Sequence, residues 1–323
     1  MKLQSIYLLL VPALLSVSSC SDPEHSGFEQ VPIELRASGN GEVDTKADGY
    51  QTIDQAFQTT IFASKRDGIY TGIPTTDADE WQKDATVQIG GSVSLPGDPS
   101  YPENGDWIYL VAVAPVPLSY NSSNGSVSYT LTGQTDLMYA KQIRGNRWDG
   151  SRFSNTDHSK DIPLEYAHLL TQLKFKAQKV ASGGLAVKVK SITIKGQKTV
   201  KVDLASGKAT FSGSAVDLKL TPANGETEIG TTPSATDLGC LLLPPLESEQ
   251  AYLLTVETSS GTFENLDITF ESVGGSPSGS NHFAAGHSYE ITLNIGDREL
   301  EILSITVAQW TTVKQDGDLE LVK

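Results

Sequence analysis

Short runs in which apolar and polar residues alternate with a period of two recur along the whole chain, and they constrain its fold more than any other feature. In "LAVKVKSITIKG", Leu185, Val187 and Val189, then Ile192 and Ile194, fall on alternate positions with lysines between them. A β-strand points successive side chains to opposite faces, so such a run sends its apolar groups into a core and its lysines into water. "QLKFKAQKV" repeats the pattern with Leu173, Phe175, Ala177 and Lys179, and "VPIELRA" sets Ile33 and Leu35 against Glu34 and Arg36. "GSVSYTL", "AYLLTVET", "LDITFES", "SYEITLNI" and "LEILSITVAQWTTV" read as strands, as do "TTIFAS", "ATVQIGG", "DLMYAKQI" and "CLLLPPLE". "KTVKVDLASGKATF" reads as two strands around the turn Ser206-Gly207, and "DWIYLVAVAP", continuously apolar and rich in Val, Ile and Tyr, as a central strand. The one short helix expected is in "PLEYAHLLTQL", where Leu164, Ala167, Leu169 and Leu170 give a weak apolar face. The fold class is therefore all-β, with antiparallel strands in stacked sheets.

At 323 residues the chain exceeds the size at which one core stops growing, which predicts two domains. The aperiodic stretch "RGNRWDGSRFSNTDHSKDIP" ends the first, giving domains at 31–163 and 164–323. Two cysteines, Cys20 and Cys240, rule out a disulfide framework, and Cys240, ahead of three leucines, reads as a small core residue. Lys and Arg number 24 against 39 Asp and Glu, a net charge of −15. Phosphate backbones would be repelled, so nucleic acid is excluded as a partner.

No pattern of bond-making chemistry emerges. His25, His158, His168, His282 and His287 show no HExxH or comparable spacing, and "GGSPSG" lacks the Lys-Ser/Thr ending of a phosphate loop. "DGD" at 316–318 lacks the spacing of a calcium loop and reads as a turn. The expectation is a chain that is not an enzyme and needs no cofactor or metal. Trp81 and Trp148 sit in loop-like settings and are candidates for stacking on a glycan, which keeps open a surface glycan-binding protein that does not polymerise.

The N-terminus carries Lys2, the apolar run "IYLLLVPALL" and small serines, the order of an export signal. That run is too short to span a bilayer as a permanent helix. "VSSC" resembles a bacterial lipobox, which would make 1–19 a signal peptide and Cys20 the lipidated first residue of the mature chain. Acyl chains there would anchor the protein to the outer membrane without a transmembrane segment. An ordinary signal with an incidental cysteine is the alternative. Residues 20–30, polar and aperiodic, read as a tether.

Four stretches together resemble the fimbrillin family of Bacteroides-type bacteria, whose members are type V pilins and related surface lipoproteins. They are the lipobox with the strand "VPIELRAS"; "DTKADG"; "TDLMYAKQ" with "PLEYAHLLTQLKFK"; and "FAAGHSYEITLNI" with "SITVAQW". The resemblance implies two tandem β-sandwich domains of Greek-key, transthyretin-like form. It implies a trypsin-like protease cutting after Lys46, ahead of Ala47, where the family prefers arginine; the nearest arginine, Arg36, lies inside the strand to be removed. Loss of that strand, with Ile33 and Leu35, would open a groove filled by the C-terminal strand of a neighbouring subunit. Ile305, Val307, Val313, Leu319 and Leu321 are the apolar groups implied for that donor or the strand preceding it. The role implied is a stalk, tip or anchor subunit of a fimbrium at the cell surface, supporting adhesion to a host or bacterial target.

Overall fold

The computed structural model describes residues 30–40, 53–75, 79–153, 162–179, 186–222, 225–230, 235–270, 273–274, 282–296, 299–308 and 310. Among them every regular element is a strand except one helical residue, and the strands form three sheets. The all-β expectation holds.

The first sheet runs in the order β1 (Ala37–Asn40), β9 (Leu164–His168), β8 (Met138–Gly145), β5 (Ile108–Ala114), β2 (Phe57–Ser64), β3 (Trp81–Val87), β4 (Val93–Ser94). Its centre explains the continuous apolar run of β5. Leu110, Ala112 and Ala114 enter a core enclosed by the curled sheet, while Val111 and Val113 enter a second core behind it. With both faces covered, neither set of alternate positions can be polar. Neighbours pair antiparallel except β1 and β9, which are parallel, with Ala37 opposite Leu164.

The second sheet is built on β11 (Val187–Asp203), with β15 (Ala251–Thr258) and β7 (Ser126–Thr130) sharing one side and β12 (Ala209–Leu220) and β13 (Thr227–Ile229) the other. Seventeen residues at about 3.3 Å each span roughly 55 Å, long enough to serve two cores. Val187, Val189, Ile192 and Ile194 pack in a core against the third sheet, and Val200 and Val202 pack behind the first. β6 (Ser119–Asn121) and β16 (Thr262–Thr269) form the ends of this sheet. The third sheet has the order β14 (Thr236–Leu243), β10 (Thr171–Lys179), β18 (Ser288–Ile295), β19 (Leu300–Ala308), β17 (Val273–Gly274).

One expectation changes. The stretch 163–173 is not helical: it forms β9, the turn at Leu169 and Leu170, and the start of β10. Leu164 and Tyr166 are buried two residues apart, as are Leu173 and Phe175, so the period-two reading wins once two sheets are available to cover them. The sheets draw strands from both halves of the chain. β9 belongs to the first sheet, and β6 and β7, from the first half of the chain, pair into the second.

Candidate functional site

The first sheet is almost a closed barrel, and one stretch of chain closes it. Residues 31–36 lie along 91–101, beyond β4 at one edge of the sheet, and β1 lies along β9 at the other. On the first side Ile33 N–H donates to Pro99 O (2.8 Å), Tyr101 N–H to Val31 O (2.9 Å), Val93 N–H to Leu35 O (3.2 Å) and Ala37 N–H to Gly91 O (2.7 Å). On the other side Leu164 N–H donates to Arg36 O (2.8 Å). The segment thus satisfies backbone groups on both edges that would otherwise stand open.

Its side chains complete the core. Ile33, Leu35 and Ala37 point inward at every second position with 5%, 0% and 2% of their surface exposed. They meet Val87, Leu110, Ala140 and Leu164 in one apolar cluster. Full burial of a Leu or Ile side chain contributes about 1.5–3 kcal/mol, so these two hold much of the segment in place. Ala37 is a site residue beyond the two expected, and its signal in the sequence is the alternation of Ile33 and Leu35 continued by one more step.

Two local features work at the seam. Gly91 has φ +92°, and a Cβ on it would lie 2.3 Å from the Ala37 carbonyl oxygen. Only glycine lets the two backbones meet so closely at that conformation. Ser38, also buried, keeps its hydroxyl without a hydrogen-bond partner among the described residues. Behind the seam, Thr59 Oγ1 shares a 2.8 Å hydrogen bond with the buried Tyr166 hydroxyl and donates to Val113 O at 2.7 Å.

The remaining candidates are scattered. Arg36 is half-buried within the closing segment and bridges to Ser92. Ile305 is buried in β19, opposite Ile291 of β18, whereas Val307 on the same strand is 42% exposed. Trp81 is fully buried at the start of β3, so it offers no face to a sugar and that expectation is corrected; the polar residues before it resemble a loop, but the strand begins at the tryptophan itself. Trp148 is 60% exposed. Cys20, Lys46, Ala47, Val313, Leu319 and Leu321 lie outside the described residues. Among the described residues no three His, Cys, Asp or Glu side chains gather as a metal site. His168 Nδ1 lies 2.8 Å from Asp136 Oδ1, and the Trp310 ring stacks on the imidazole at 4.0 Å. Burial pushes the Cys240 thiol up to about 11.

A sequence model of the fimbrillin-like family matches residues 44–310, most of the chain. The chain belongs to the fimbrillin-like family. The chain shares its fold with several solved structures. A candidate cell adhesion protein from Bacteroides uniformis is 18% identical with a TM-score of 0.56, covering 87% of this chain and 98% of its own. A candidate cell adhesion protein from Bacteroides ovatus is 15% identical at TM-score 0.56, covering 88% and 99%. A fimbrial protein from Bacteroides vulgatus is 12% identical at TM-score 0.50, covering 86% and 99%. Comparison with curated proteins gives no significant match. The family match starts after the closing segment and includes Lys46.

Proposed function

We propose that this protein is a structural or accessory subunit of a cell-surface fimbria, serving as stalk, tip or anchor, in which the segment 31–40 is a stand-in strand. It fills the barrel of the precursor until a trypsin-like protease cuts after Lys46. A strand from a neighbouring subunit then takes its place. The observation that carries this reading is the double-sided seam: one short segment pairs with both edges of the sheet and supplies three alternate core side chains. Its departure would leave the N–H groups of Val93, Tyr101 and Leu164 and the carbonyls of Gly91 and Pro99 unpaired around an apolar slot. Those are the requirements for addition of a foreign strand, with backbone hydrogen bonds giving affinity and alternate side chains giving register.

The donor is assigned to the C-terminal tail. Ile305 is committed to the core of the third sheet, so β19 acts as the strand preceding the donor, and Val313, Leu319 and Leu321 are the groups to enter a neighbour's slot. Lipid on Cys20 would hold the precursor at the outer membrane until the cut separates anchor from fold. The barrel with β6, β7 and the Val200 end of β11 behind it forms an N-terminal sandwich-like domain, and the third sheet with the Val187–Ile194 end of β11 a C-terminal one. Relatives described as fimbrial or as candidates for cell adhesion support a role in adhesion at the surface.

Limited trypsin treatment of the purified precursor, followed by mass measurement and sizing, tests the reading. The expected result is one early cut after Lys46, loss of the N-terminal fragment and growth of oligomers, all abolished in Lys46→Gln. Release of the fragment with a lasting monomer as the product would overturn strand exchange.

A further inference from the structure

We propose that the cleft beside the start of the closing segment binds a neutral oligosaccharide, with Trp148 as its outer stacking plate. The cleft, about 590 Å³, lies between β3 and the 97–104 loop and is lined by Lys83, Asp98, Ser100, Glu103 and Asn104, with the buried Trp81 among its walls. That volume is within the range of small-molecule sites.

Trp148 stands outside the lining itself, against the chain that continues from it. Its indole packs on Gly105, the residue after Asn104, where a Cβ would lie 2.6 Å from Nε1. The Arg147 guanidinium stands 5.7 Å from the ring centre and also donates to the carbonyl of Glu103. The turn bearing Trp148 is held by its own N–H donating to Asn146 Oδ1 (3.0 Å) and by Ser151 N–H donating to its carbonyl (3.1 Å). An indole that is 60% exposed yet fixed by backbone contacts is preorganised, so stacking a ligand on it costs little conformational entropy.

The lining selects the ligand class. Carboxylates at Asp98 and Glu103 accept hydrogen bonds, Lys83 donates, and Ser100 and the Asn104 amide do both. Pyranose hydroxyls also donate and accept at short spacing, and the C–H face of the ring suits an indole. Lys65 pairs with Asp79, and Lys83 and Arg147 balance Asp98 and Glu103, so the cleft carries little net charge and suits an uncharged sugar.

Calorimetric titration of the intact, uncut protein with mannohexaose, cellohexaose and xylohexaose as neutral probes, and hexagalacturonate as the acidic one, tests the assignment independently of strand exchange. At least one neutral hexasaccharide should bind with a Kd near or below ~1 mM. Trp148→Ala, at an exposed position, should weaken it about tenfold with the thermal midpoint unchanged, and Lys83→Ala should weaken it severalfold. Absence of binding by all three neutral probes, preference for hexagalacturonate, or unchanged affinity in both variants would overturn it.

Discussion

Gly91→Ala should loosen the closing segment and little else. The new methyl would lie 2.3 Å from the Ala37 carbonyl oxygen, well inside contact distance, and the backbone there holds φ +92°. A non-glycine residue kept in such a conformation costs on the order of 1–3 kcal/mol, and retreat of Ala37 would also forfeit its hydrogen bond to Gly91 O, about 1 kcal/mol more. A local loss of about 2–4 kcal/mol corresponds to amide exchange faster by roughly 30- to 700-fold. Hydrogen exchange read by mass spectrometry or NMR should show this at Ile33, Ala37, Val93, Tyr101 and Leu164, whose N–H groups lie in the seam. Val111 and Val113, in the middle of the sheet, should keep their protection. Ser38→Ala should act in the opposite sense, because it removes a buried hydroxyl that lacks a partner among the described residues, a defect of about 1–3 kcal/mol. Equal acceleration in the seam and in β5 for Gly91→Ala would refute the idea that the segment opens as a separate unit. No acceleration at all would refute the steric argument itself.

Other outcomes follow from the same packing. Thr59→Val strands the Tyr166 hydroxyl in the barrel and should lower unfolding stability by about 1–3 kcal/mol in denaturant titration, whereas Thr59→Val with Tyr166→Phe should recover part of the loss. Because burial raises the Cys240 thiol from 9.0 to about 11, the folded chain holds this proton more tightly than the unfolded chain. Its contribution is complete below pH 9 and is lost as pH rises toward 11, so the wild-type thermal midpoint should fall more steeply over that window than that of Cys240→Ala. Burial likewise raises Tyr70, Tyr129, Tyr166 and Tyr252, so their phenolate absorbance near 295 nm should appear together with unfolding, not ahead of it, above pH 10.

Alternation is a local property of the chain, so β10, β11, β15 and β18 were legible in the sequence, with Leu173, Phe175, Val187, Val189, Tyr289 and Ile291 all buried as their spacing required. The same holds for Ile33 and Leu35, whose alternation with Glu34 and Arg36 marked one apolar face before any partner was known. The partners themselves belong to the tertiary structure. Ala37 lies opposite Leu164, far along the chain and in parallel, and Ile33 bonds to Pro99. Such pairing is decided by which edges a curling, twisting sheet brings together, and no residue pattern within either segment encodes that meeting. Burial was settled at the same level: "PLEYAHLLTQL" satisfies helical and extended spacing about equally, and Trp81 follows polar residues that suggest a loop. Only the presence of covering sheets on one side or two chose between those states, because free energy depends on the area removed from water and that area exists only after the sheets have packed.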